Sequence, residues 1–168
     1  MLKVAGEVAD GLHVHPMHSM PYIENRLIPK VTEGAVIVGR SIENIDLIVP
    51  VLAVPGDTPE ERSMLEHEAK AAIGFYGSTP VYAFQFDDLG YVGKRKELAD
   101  KLRAGDRDGM IELVSDEMLN QFGLSARWDD MADKLISRYE GVASRVVMYF
   151  ATQSIAADPA NSGKWAEI

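Results

Sequence analysis

The alternation of extended and helical segments along this 168-residue chain predicts a parallel α/β fold. Ile45 to Val54, IDLIVPVLAV, is apolar on both alternating faces, as a strand is when helices cover a parallel sheet on either side. Leu12 to His15 before Pro16, and Arg145 to Phe150, RVVMYF, read as two further strands. Between them lie segments with apolar residues at helical spacing. Three strands make a small sheet and cannot close a barrel, so the chain is either a piece of a larger barrel or has its sheet edges covered by another copy of itself.

Ala5 to Pro16, AGEVADGLHVHP, begins with the end of a small-residue helix and an acidic turn, then enters the first strand. Asp10 is expected to brace the turn and Gly11 to supply tight backbone geometry. Ser19 as N-cap and Pro21 in the first turn start a helix with Ile23, Leu27, Val31, Ala35 and Val38 on one face. Pro29 should kink it and Gly39 should end it. Pro50, inside the long apolar strand, hints at an edge or a bulge.

Thr58, Pro59 and Glu61 then form a capping-box start for a helix with Leu65, Ala69, Ala72, Ile73 and Tyr76 on one stripe. Residues 78–123 read as an inserted region of short helices, because glycines break the chain while spaced apolar residues recur between them. Ser125 is expected to cap the next helix, whose residues Trp128, Met131, Ala132, Leu135, Ile136 and Tyr139 follow a full helical template. The reading is one α/β domain over residues 1–151, with a mobile tail over 152–168 that Trp165 can anchor.

A net charge of −9 and a pI near 4.9 argue against a broad nucleic-acid or anionic-membrane surface, which needs positive potential. Lys94-Arg95-Lys96 is followed at once by Glu97 and reads as a solvated helix face. The absence of cysteine removes disulfides and thiolate chemistry and suits a reducing cytoplasm. No apolar run has the length of a membrane span, so a cytoplasmic protein acting on a small molecule is expected.

AGEVADGLHVHP, VPVLAVPGDTPEE, IGFYGSTPVY and DDMADKLISRYEG together resemble the carboxyl-terminal part of the luciferase-like monooxygenase family, most closely its deazaflavin-using branch. The resemblance runs from about Val4 to Phe150. It implies a partial (β/α)8 TIM barrel in which the three strands are the sixth, seventh and eighth, with the first five before Met1. It also implies an oxidoreductase using FMN or the deazaflavin coenzyme F-420, with chemistry at the barrel mouth. Most of the flavin pocket would then lie outside the chain, so weak or absent flavin affinity, incomplete catalysis and a homo-oligomer formed through open sheet edges are expected of it alone.

Three of the four histidines stand where the first strand gives way to its loop, the usual place for function in such folds. His13, His15, His18 and Tyr82 are therefore the candidate cofactor-facing residues. His13 and His15, two apart on a strand, point to one side, which is also a metal-ligand spacing. A metal-dependent hydrolase built on that pair is the rival enzyme reading, and a non-catalytic, self-associating barrel remnant is the third. Phe75, Ser78 and Phe84 are further pocket candidates, while Tyr76 fits core packing. His67, Arg26, Lys30 and Arg40 read as surface residues, and no catalytic residue can be assigned.

Overall fold

A computed structural model describes residues 1–168. Its centre is β2 (Asp46–Pro55), which pairs in parallel with β1 (Gly11–His13), β3 (Gly123–Ala126) and β4 (Arg145–Met148). The apolar run does what its composition requires, with Val49, Val51, Ala53 and Val54 fully buried.

Pro50 lies in this central strand, at neither an edge nor a bulge. Backbone hydrogen bonds explain its tolerance. Asp46 N–H donates to Asp10 and Val14 N–H donates to Ile48, whereas Gly56 N–H donates to Ala126. Even-numbered residues of β2 thus turn toward one edge, shared by β1 along its first half and β3 along its second. Pro50 falls at the handover, where neither neighbour requires an N–H.

Paired residues share a face. Leu12 and Leu47 turn toward Leu27, Ile28 and Val31, with which they line a cavity of about 270 Å³. The opposite face carries His13, Ile48 and Arg145 in register, and next to them Pro50 paired with Val147. His13, Arg145 and Val147 on that face are solvent-exposed.

The helix after the first strand starts as expected, with Ser19 Oγ accepting from Tyr22 N–H. It runs through α2 (Met20–Tyr22), a π-helical turn (Ile23–Leu27) and α3 (Ile28–Ile37). Pro29, having no N–H to return to the preceding turn, follows a wider turn instead of an open break. Gly39 ends the helix at φ 72°. Amino-terminal α1 (Leu2–Val8) lies directly on α3, backbone against backbone at Gly6 and Gly34.

α4 (Pro59–Gly77) has the expected cap: Thr58 Oγ1 accepts from Glu61 N–H, and the Glu61 carboxylate accepts from Asp57 N–H. Residues 78–123 are helical as read, in α5 (Ala83–Asp88), α6 (Lys94–Arg103), α7 (Arg107–Glu112) and α8 (Asp116–Phe122). Phe86 packs on Phe122, and Gly77 lets the Phe86 ring approach the backbone of α4, where a Cβ would stand 2.5 Å from that ring.

Further differences from expectation lie in the carboxyl-terminal part, beginning with a fourth strand, β3, that was not expected. Ser125 does not cap a helix: it lies in β3, and its hydroxyl donates to Glu66, while α9 (Trp128–Tyr139) starts after Arg127. The last strand stops at Met148, and Phe150 opens a helix. The segment after it carries α10 (Ala151–Ala157) and α11 (Asn161–Glu167), and Trp165, the expected anchor, stands edge-on against Trp128 at 5.3 Å. No helix is long and apolar enough to cross a membrane.

Candidate functional site at the carboxyl ends of the strands

β1 ends at His13, and the residues that follow form a tightly tied loop. Gln85, buried in α5, accepts from Ser19 N–H at 2.9 Å and donates to the Met17 carbonyl at 3.0 Å. His18 Nδ1 stands 3.0 Å from the His15 carbonyl, and its Nε2 stands 3.0 Å from the Tyr139 hydroxyl on α9. A carbonyl only accepts, so Nδ1 carries the proton and Tyr139 O–H donates to Nε2. Burial holds His18 neutral, lowering its pKa to about 4, and pushes the Tyr139 hydroxyl up.

His15 projects from this loop, half-buried. Its Nδ1 accepts from Met17 N–H at 3.0 Å, and its ring lies 4.7 Å from Tyr76 and 5.0 Å from Tyr82. Desolvation lowers the His15 pKa, and desolvation raises that of Tyr82. Tyr76, expected as a core residue, is shared between its helix stripe and this aromatic corner.

On its other side Tyr76 borders a cleft of about 460 Å³ with Phe75, Met110, Arg107, Tyr149 and Gln153. That volume lies in the range of small-molecule sites. Phe75 is 51% exposed and Tyr149 40% exposed, unusual for large aromatic side chains in a concave surface. Tyr149 follows β4 and His15 follows β1, so corner and cleft together occupy the carboxyl-end side of those two strands.

The candidate residues thus separate. His15 and Tyr82 touch; His13 stands exposed on the open sheet face; His18 is 1% exposed with both nitrogens engaged, so it braces the loop and does not line the cleft. No three His, Asp or Glu side chains gather to hold a metal, so the His13/His15 pair gains no further ligands for the hydrolase reading. Arg26 pairs with Asp88, Lys30 with Glu33 and Arg40 with Asp10, as surface residues do. Asp10 braces the turn through its backbone carbonyl, and Gly11 is simply the first residue of β1. Arg107, Tyr149 and Gln153 escaped the sequence reading, because only the fold brings them beside Tyr76.

A parallel sheet with an aromatic cleft and a neighbouring histidine corner at its strand ends is an arrangement at which α/β proteins commonly take ligands. More particularly, the chain belongs to the luciferase-like monooxygenase family, whose model matches residues 1–145. An uncharacterized protein of Mycobacterium tuberculosis is 32% identical over 154 residues, 92% of this chain and 45% of that protein. The 5,10-methylenetetrahydromethanopterin reductase of Methanopyrus kandleri is 28% identical over 148 residues, 88% of this chain and 41% of its own length. Among solved structures, the coenzyme F-420-dependent tetrahydromethanopterin reductase of the same organism superposes with a TM-score of 0.70 at 25% identity, again over 88% of this chain and 41% of that one. The chain therefore spans less than half the length of these relatives.

Proposed function

We propose that this chain forms the cofactor-facing mouth of a flavin- or deazaflavin-dependent oxidoreductase, with coenzyme F-420 the first candidate and FMN the second. The observation that carries the reading is the half-exposed aromatic cleft close to His15, in a chain similar to a coenzyme F-420-dependent reductase. The residues present fit the ring portion of such a group: Phe75, Tyr76 and Tyr149 offer flat apolar surface in the cleft, and Tyr76 joins it to the corner where Tyr82 adds a further aromatic face and His15 a polar contact. When bound, the coenzyme supplies hydride transfer. The chain's own part is to bind the ring, to exclude water from one side of it and to hold its orientation.

β1, β2 and β4 correspond in this reading to the sixth, seventh and eighth strands of a (β/α)8 barrel. The sheet face bearing His13, Arg145 and Val147 is then the barrel's inner face, exposed in the chain taken singly. An exposed Val147 on a sheet face and an exposed Ile136 on α9 favour self-association.

Light scattering on the chain at micromolar concentration, with coenzyme F-420 and FMN added in turn and their absorbance followed, tests both parts. The expected result is an oligomer that binds coenzyme F-420 saturably, though weakly, and FMN less well. A monomer contradicts the self-association, and an absorbance unchanged by either coenzyme contradicts the cofactor reading.

A further inference from the structure

His15 has one nitrogen committed and one free. Because Nδ1 accepts from Met17 N–H, the proton of the neutral ring is on Nε2. Nε2 has no protein partner, and the ring sits between Tyr76 and Tyr82. This arrangement is held at each peptide around it. Gln85 fixes the carbonyl of Met17, the residue whose N–H sets the tautomer; His18 fixes the carbonyl of His15 itself; Tyr139 fixes His18. Gln85, His18 and Tyr139 are all buried, so water does not compete for these contacts.

From this geometry we infer that His15 is a pre-set hydrogen-bond donor, presenting Nε2–H to an oxygen acceptor on the ring of a flat heteroaromatic ligand that docks against Tyr76 and Tyr82. The inference rests on the cofactor reading above and adds to it the atom that recognises the ring. His18, Gln85 and Tyr139 are positioning residues, acting through the loop and not on the ligand. A ligand with ring carbonyls satisfies Nε2–H; an apolar ring of the same size leaves it unpaired.

Two measurements test it. In nitrogen-15 spectra of the imidazoles of the chain alone at neutral pH, His15 should show an unprotonated Nδ1 and a protonated Nε2; a protonated Nδ1 overturns the inference whatever the chain binds. In titrations, His15→Phe keeps an aromatic ring but loses the donor. It should weaken coenzyme F-420 about tenfold, the scale of one hydrogen bond to an uncharged acceptor, while leaving phenanthrene, a fused three-ring hydrocarbon with no acceptor atom, unchanged. His15→Gln, which retains an N–H, should recover part of the loss. Equal affinity of wild type and His15→Phe for coenzyme F-420 overturns the inference. If the wild-type chain binds neither coenzyme F-420 nor FMN, the functional reading fails and the ligand half of the inference falls with it.

Discussion

Gly34→Ala is expected to unseat α1 and to cost about 3 kcal/mol of stability, at the upper end of what an added methyl does in a packed interior. A Cβ at residue 34 would stand 1.8 Å from the Lys3 carbonyl oxygen, and one at Gly6 would stand 2.0 Å from that of Val31. These obstacles are backbone, so no rotamer change relieves them. The two helices must separate by more than an ångström. α1 has only seven residues and cannot persist without its partner. Amide exchange in residues 2–8 should rise toward that of an unfolded segment, and the denaturant midpoint should fall. Gly163→Ala is the matched control, since nothing lies within 4 Å of its Cβ position, and it should leave stability unchanged or slightly raised. Equal stability of the two variants would show that α1 and α3 yield more easily than their contact geometry allows.

Acid should destabilise the chain well before its carboxylates are neutralised, because His18 is buried neutral. Its pKa falls from an ordinary 6.5 to about 4, chiefly through desolvation. A histidine whose folded pKa is depressed binds its proton more readily when unfolded. Its contribution is complete above the unfolded pKa and is lost as pH falls from 6.5 toward 4. The shift corresponds to about 3 kcal/mol over that window. His15, also lowered by desolvation, adds in the same direction. Urea unfolding from pH 7 to pH 4 should show this slope, and His18→Gln, less stable at pH 7, should flatten it. An unchanged slope in His18→Gln would place the acid sensitivity elsewhere.

Much of the framework was legible because its signals are local. The doubly apolar run could be little other than a covered strand, and Thr58-Pro59 with Glu61 marked the start of α4 by side-chain chemistry. α9 declared itself by periodicity, although Ile136, on the same stripe, faces solvent. β3 was missed because four residues, Gly-Leu-Ser-Ala, carry no period, and Ser125 offers the same hydroxyl to a cap as to a strand. What makes them a strand is the edge of β2 that β1 vacates at Pro50. In the tail, Trp165 was legible as an anchor and finds Trp128, whereas α10 and α11, short and rich in small polar residues, left no periodic signal. At the site, the histidine loop was visible in sequence, but the separate duties of its members were not. His18 is tied to Tyr139 across 121 positions, and Ser19 to Gln85 across 66, distances over which no motif is written.

In the proposed function the corner formed by His15, Tyr76 and Tyr82 faces the coenzyme. Its most direct test is the change in backbone and imidazole resonances of the isotope-labelled chain as coenzyme F-420 is added. Saturable shifts are expected at His15, Tyr76, Tyr82 and the neighbouring Phe75 and Tyr149, with the resonances of α1 and the amino-terminal end of β2 left in place. Shifts centred on the cavity under α3, or none at coenzyme concentrations far above that of the protein, would contradict it.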